Sequence, residues 1–250
     1  MNRFALLIAH PGEKGDDDFL EVESDIQAWT RHLLSPLGGN WSENEILILR
    51  SPCVADLDAA LRRWQGGADY ALIVFSGHGA YSETLDDTIL QINSKEEYHS
   101  KRLHLAKKET IVLDCCRKVI ERLLLKSLVL ESLTASQADE FPNPQLARIA
   151  FNRAVGKCPD QTLILHSCDI DEFAYDDAYG RGGAYTHALL TAAGRWRPEA
   201  KLATNQYTSL SAVSAHNRAA ADLLKNPQNR QNPKIGKPRS GPYLPLSVWV

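Results

Sequence analysis

The sequence predicts an α/β fold, a mostly parallel central sheet with helices packed on both of its faces. Three observations carry that expectation. Short uninterrupted apolar runs of strand length recur; stretches with helical apolar spacing alternate with them; and Gly, Pro and Asn cluster where one gives way to the other. The chain has 250 residues, 44% hydrophobic and 24% charged, enough to bury a core without staples and well outside disordered or fibrous compositions.

Residues 4–9 (FALLIA) form an apolar run stopped by His10-Pro11-Gly12, as a strand buried on both faces would be. After an acidic loop at Asp16 to Asp18, residues 19–34 place Val22, Ile26, Trp29 and Leu33 on one helical face before Pro36 and Gly38-Gly39. Residues 45–49 (EILIL) read as a second strand, and residues 54–64 as a helix with Leu57, Ala60, Leu61 and Trp64 together. Residues 70–75 (YALIVF) and 110–113 (TIVL) are two more buried strands, each running straight into polar residues. In the second half, residues 161–166 (QTLILH) predict a strand and 183–193 a helix. Helices are expected at 119–129 and 145–155, separated by a polar break at Phe141-Pro142-Asn143-Pro144 that reads as a flexible or cleavable linker. An Ala-rich helix at 209–225, an exposed loop at 226–242 and a final strand within 243–250 complete the reading.

A net charge of −3 leaves no basic field for nucleic acid or anionic lipid. No apolar run approaches the roughly 18–20 residues of a membrane span, and the first ten residues are too short and weakly charged for a secretory signal. The expectation is a cytoplasmic protein with neither nucleic acid nor membrane as partner. Five cysteines, Cys53, Cys115, Cys116, Cys158 and Cys168, match no disulfide framework and no paired zinc-ligand spacing, so at least one thiol is expected to be free.

Chemistry concentrates at two strand ends, Phe75-Ser76-Gly77-His78-Gly79 and Leu113-Asp114-Cys115-Cys116-Arg117. In one parallel sheet both motifs emerge at the same edge, where ligands collect. An imidazole there can take the proton of a thiol whose unperturbed pKa is about 8.5. The glycines beside His78 permit a tight turn, and the Gly79 amide can face a developing oxyanion. The plain alternative is a loop histidine beside small buried thiols.

These residues resemble the caspase and metacaspase clan of cysteine peptidases, in which a strand ending in SGHG precedes a strand ending in a nucleophilic Cys. Two further segments are similar to that clan: Val22-Glu23-Ser24-Asp25 opening a helix, and Gly182-Gly183-Ala184-Tyr185-Thr186-His187-Ala188-Leu189. The resemblance spans roughly residues 4–250. It implies a three-layer sandwich on a six-stranded, mostly parallel sheet, forming one peptidase domain over 1–250. A large-subunit-like part would cover 1–125, a linker about 126–158 and a small-subunit-like part 159–250. It also implies Cys116 as nucleophile, His78 as proton shuttle, and the amides of Gly79 and Cys116 as oxyanion hole. Lys118 stands where the family usually has Gly.

Two residues before the nucleophile, animal caspases carry a Gln in a pocket for aspartate; this chain carries Asp114. A carboxylate there would repel a substrate Asp and pair with Arg or Lys. The resemblance to metacaspases adds Asp25 and Ser76 to that pocket. An Asp capping its following turn, or complementing a helix dipole, is the simpler role for Asp114 and Asp25. Many metacaspases use calcium, and Asp86-Asp87 stand beyond the SGHG strand; two carboxylates fall short of the six to eight oxygens calcium takes, and no metal or other cofactor is assigned. The run Asp169 to Glu172 and the pair Asp176-Asp177 read as a solvated acidic loop bordering a basic substrate.

The leading expectation is therefore an endopeptidase that cleaves proteins after Arg or Lys through an acyl-enzyme. Self-processing near Lys126, Arg148, Arg153 or Lys157, a separate activator or inhibitor protein, and a role in defence or regulated cell death are its secondary parts. The alternatives are a non-catalytic caspase-like interaction module and a redox switch at Cys115-Cys116, the latter opposed by the strain of vicinal disulfides.

Overall fold

The computed structural model describes residues 1–12, 21–119, 143–177, 180–201, 207–225 and 231–250. The acidic loop at Asp16 to Asp18, the expected helix beyond Val119, and Lys126 with most of the linker lie outside these residues.

Six strands form the central sheet in the order β10-β8-β7-β3-β1-β2. They are β1 (Arg3–His10), β2 (Ile46–Arg50), β3 (Tyr70–Gly77), β7 (Lys108–Asp114), β8 (Gln161–His166) and β10 (Lys234–Gly236). All are parallel except β10, which runs antiparallel along β8. Every residue of β1 and β3 is buried, which explains why these strands are unbroken apolar runs in the sequence.

Alternate residues of each strand feed two cores. Ala5, Leu7, Leu72 and Val74 face Ile26 and Trp29 of α1 (Val22–Leu34), Phe151 of α3 (Pro144–Gly156), Tyr185 and Leu189 of α4 (Ala184–Lys201), and Val213 of α5 (Ala212–Leu223). Leu6, Ile8, Ile73 and Phe75 face Leu57 and Leu61 of α2 (Val54–Trp64). The second core is completed by a three-stranded antiparallel sheet, β4 (Gly79–Ser82), β5 (Asp87–Gln91) and β6 (Glu97–His99), which sequence periodicity does not foretell.

Two expectations for the C-terminal region are corrected. The exposed loop expected at 226–242 contains the sixth strand, β10; its Lys-Ile-Gly sequence is short and half exposed, as suits a protected sheet edge, and leaves no apolar run to read. The final strand, β11 (Pro245–Trp249), does not extend the central sheet; it pairs with β9 (Thr208–Ser211) over the α3 side of the first core. The helix expected from residue 209 accordingly starts at Ala212, with the Ser211 side chain accepting from the Ser214 amide at its N-terminus. Val119, the last described residue before the expected helix, forms a parallel bridge with Tyr81. The expected polar break before α3 is that helix's cap: Asn143 accepts from the Gln145 and Leu146 amides, and Pro144 fills the first turn, where no amide is needed.

Candidate active site

The site stands at the carboxyl ends of β3 and β7. These neighbours pair in parallel up to the rung Ser76↔Asp114. His78 and Cys116 each follow that rung by two residues, so both leave the sheet at one level on adjacent strands, whose axes are about 4.8 Å apart. Contacts around Gly79 close the gap. A Cβ added there would sit 2.8 Å from Cys115 Sγ and 3.0 Å from the Cys116 carbonyl oxygen, so only glycine admits this approach of β4 to the Cys115–Cys116 segment.

The hydrogen-bond pattern fixes where the Gly79 amide points. Gln91 donates its amide to the His78 carbonyl at 3.0 Å, making 78 and 91 a hydrogen-bonded pair and Gly79 with Leu90 the next, non-hydrogen-bonded pair of the β4–β5 ladder. Tyr81, two residues on and facing the same way, donates its amide to the Lys118 carbonyl at 2.8 Å. The Gly79 amide therefore projects from β5 toward the Cys116–Lys118 side.

The two vicinal thiols differ sharply. Cys115 is 1% exposed and burial pushes its thiol well above the ordinary value, whereas Cys116 is half-buried. Buried thiols are inert and accessible ones react. Cys116 Sγ lies 3.4 Å from the Ala174 amide nitrogen and 3.7 Å from its carbonyl oxygen, so the loop after β8 touches the sulfur. Arg117 turns away from the cleft: its guanidinium is buried over the Tyr81 ring and donates to Thr88 Oγ1 at 3.1 Å. Lys118 joins the same loop through Asp171 at 3.4 Å and lies over the Phe173 ring.

Two residues before Cys116, Asp114 is buried together with Asp25 of α1. Ser76 donates to Asp25 Oδ2 at 2.5 Å, and the Gly183 amide donates to Asp25 Oδ1 at 2.9 Å. Asp114 Oδ2 accepts from both the amide and the hydroxyl of Thr186, at 2.9 and 2.7 Å. Asp114 thus caps the N-terminus of α4 across the fold and not its own following turn, and Asp25 meets the glycine pair directly. A Cβ on Gly182 would run into Asp25, and one on Gly183 into Asp114; Gly182 also holds φ +93°, so the pair is set by close approach and by backbone conformation.

Asp25 and Asp114 are 1% and 5% exposed, and burial raises both carboxyls, Asp25 further because Asp114 repels it. Asp25 accepts two hydrogen bonds, and Asp114 accepts two from Thr186 and is also reached by the Ser167 hydroxyl, where a carboxylate offers about four acceptor positions. Among the described residues no Lys or Arg forms an ion pair with either. A third carboxyl, Asp176, stands exposed near this pair, its backbone bridging Gly183. Crowding by protein atoms and repulsion from Asp114, Glu21 and Asp177 push it up to about 6. The sequence placed Asp176 only in a solvated acidic run. The rest of that run is engaged elsewhere, with Asp169, Asp171 and Glu172 partnered by Lys234, Lys118 and Asn232.

Asp86 and Asp87 do not converge. Asp86 is exposed and takes Tyr81 and Lys101, while Asp87 is buried and takes Ser100 Oγ at 2.6 Å. Among the described residues no three His, Cys, Asp or Glu side chains gather as a metal site, and the pair does not fit the calcium the resemblance implied.

The profile of the caspase domain matches residues 3–238. The chain belongs to the caspase-domain family of cysteine peptidases. Its fold is similar to the crystal structure of caspase-1 from Spodoptera frugiperda, with a TM-score of 0.56 over 94% of this chain and 88% of that one, at 13% identity. No curated protein matches the chain. Among the described residues of this caspase-family protein, no helix is long and apolar enough to cross a membrane.

Proposed function

We propose that this caspase-family protein is an endopeptidase that cleaves protein substrates after Arg or Lys, with His78 and Cys116 as its dyad. Cys116 Sγ attacks the scissile carbonyl carbon while His78 takes the thiol proton, and the amides of Gly79 and Cys116 donate hydrogen bonds to the developing oxyanion. Collapse breaks the C–N bond, His78 gives its proton to the departing amine, and water then hydrolyses the thioester. The observation that carries the specificity is the buried pair Asp25 and Asp114, held by Ser76, Gly183 and Thr186 near the half-buried Cys116 thiol, with no Lys or Arg among the described residues in an ion pair with either. A guanidinium supplies the missing positive charge in bidentate geometry, an ammonium does so less well, and a substrate Asp is repelled.

Peptides ending in Arg, Lys or Asp before a fluorophore test this. The Arg peptide is expected to be cleaved fastest, Lys next and Asp not at all, with Cys116→Ala inactive; cleavage after Asp at a comparable rate would overturn the specificity. Of the four basic residues considered for self-processing, Arg148 and Arg153 lie in α3, and Arg148 is bound to Glu45 at 2.6 Å. Lys157 lies over the Tyr207 ring. Lys126 is therefore the candidate cleavage point, and intact mass of wild type beside Cys116→Ala reads it. Cytoplasmic action in defence or regulated cell death, under a separate activator or inhibitor protein, rests on the metacaspase resemblance. Toxicity on expression that Cys116→Ala abolishes would support it, and equal growth of both would count against it.

A further inference from the structure

The loop after β8 brings two things to the site: the Ala174 backbone, against Cys116 Sγ, and Asp176, near the buried pair Asp25 and Asp114. Its inner side is tied to the nucleophile segment by two backbone bonds, from the Arg117 amide to the Glu172 carbonyl at 3.0 Å and from the Asp171 amide to the Arg117 carbonyl at 2.9 Å. Its outer side is held by two successive carboxamides that lead into β10. Gln231 has no exposed surface; its Nε2 donates to the Ser167 carbonyl at 2.9 Å and its Oε1 accepts from the Tyr175 amide at 3.3 Å. Asn232 donates both its amide and its Nδ2 to the Glu172 carboxylate, each at 2.8 Å. Glu172 Oε2 also accepts the Asp169 amide at 3.2 Å.

Neither side chain is interchangeable. Gln231 must donate at one end and accept at the other, and only a carboxamide of that length does both. A buried bond to each end costs more to leave unmade than it contributes when formed. We infer that Gln231 and Asn232 are positioning residues that fix the β8 loop, and through it Ala174 and Asp176, at the working distance from Cys116. They touch no substrate. They act from the segment that leads into the edge strand β10, about 115 residues downstream of Cys116.

The inference rests on the proposed endopeptidase reading for its kinetic arm but not for its chemical one. In the kinetic arm, Gln231→Met and Asn232→Asp are expected to raise KM for the Arg peptide on the order of tenfold, with kcat changed far less, because His78, Gly79 and Cys116 stand on other elements. In Asn232→Asp the new carboxylate faces Glu172; adding Glu172→Gln restores a donor opposite an acceptor and is expected to return KM most of the way. In the chemical arm, alkylation of Cys116 by iodoacetamide is followed by mass spectrometry at matched thermal stability. Asn232→Asp is expected to change that rate at least about threefold, and the double variant to reverse the change. If Gln231→Met fails to fold, Asn232→Asp decides. If the wild type leaves Arg peptides uncut, the specificity reading fails and the alkylation arm still decides the positioning claim. An unchanged alkylation rate in folded Asn232→Asp, or a change that Glu172→Gln does not reverse, would overturn it.

Discussion

Strand β7 carries a buried carboxylate at each end, and the two are treated in opposite ways. At the amino end Glu109 is fully engaged. His104 Nδ1 approaches Oε1 at 2.6 Å and Thr162 donates to it at 3.0 Å, while the Leu105 and Ala106 amides donate to Oε2 at 2.9 and 3.3 Å. Nearby, Glu45 lies between Arg3 and Arg148, so charge at this end of the sheet is matched. At the carboxyl end Asp114 accepts two bonds from Thr186 through one oxygen, is also reached by the Ser167 hydroxyl, and faces the like-charged Asp25. One buried carboxylate thus meets four donors and no like charge, while the other shares its place with a second carboxyl near the half-buried Cys116 thiol. Under the proposed function the first carboxylate staples the structure and the second is kept for a substrate's positive charge.

The comparison can be broken by exchanging its terms. Asp114→Asn retains an acceptor for Thr186 but removes the charge. It is expected to lower kcat/KM for the Arg peptide by about 2–5 kcal/mol, roughly thirty- to several-thousand-fold, as removal of one partner of a buried charge pair does. Glu109→Gln turns an NH2 toward a donor and is expected to cost about 1–3 kcal/mol of stability in denaturant melts, with kcat of the folded enzyme unchanged. If instead Asp114→Asn lost only stability and Glu109→Gln only activity, the two ends would have been assigned backwards.

Two smaller effects sharpen the picture through Asp176. Its carboxyl, pushed up to about 6, loses its charge as pH falls through that value. KM for the Arg peptide is therefore expected to climb as pH drops from 7 to 5, and Asp176→Asn to flatten that limb. The effect on stability has the opposite sense. A carboxyl raised from 3.8 to about 6 by folding favours the fold most below 3.8 and loses that contribution as pH rises through 6. Asp176→Asn is accordingly expected to raise the thermal midpoint slightly at pH 7.5 while weakening binding of basic peptides. A midpoint that falls would show that Asp176 serves the fold.

Legibility in the sequence followed burial. The strands β1, β3, β7 and β8 and the helices α1 and α2 announce themselves because one or both faces are apolar. The edge strand β10 and the hairpin β4–β6 do not, since edge exposure and short antiparallel pairing leave no long apolar run. The motifs SGHG and DCCR mark strand ends, and parallel register alone brings His78 near Cys116. What no pattern exposes is the work of Gly182 and Gly183, which press backbone against Asp25 and Asp114, and of Gln231 and Asn232, whose partners lie about 60 residues away. Asp176 was visible as an acidic residue, but its place near Asp25 and Asp114 depends on how the β8 loop folds back.

The most direct test labels the wild-type protein with two peptide chloromethyl ketones that differ only in a terminal Arg or Asp, followed by peptide mapping. The account predicts one adduct, on Cys116, formed much faster with the Arg reagent and lost in His78→Ala. Equal labelling by both reagents, or an adduct spread over Cys53 and the other thiols, would contradict it.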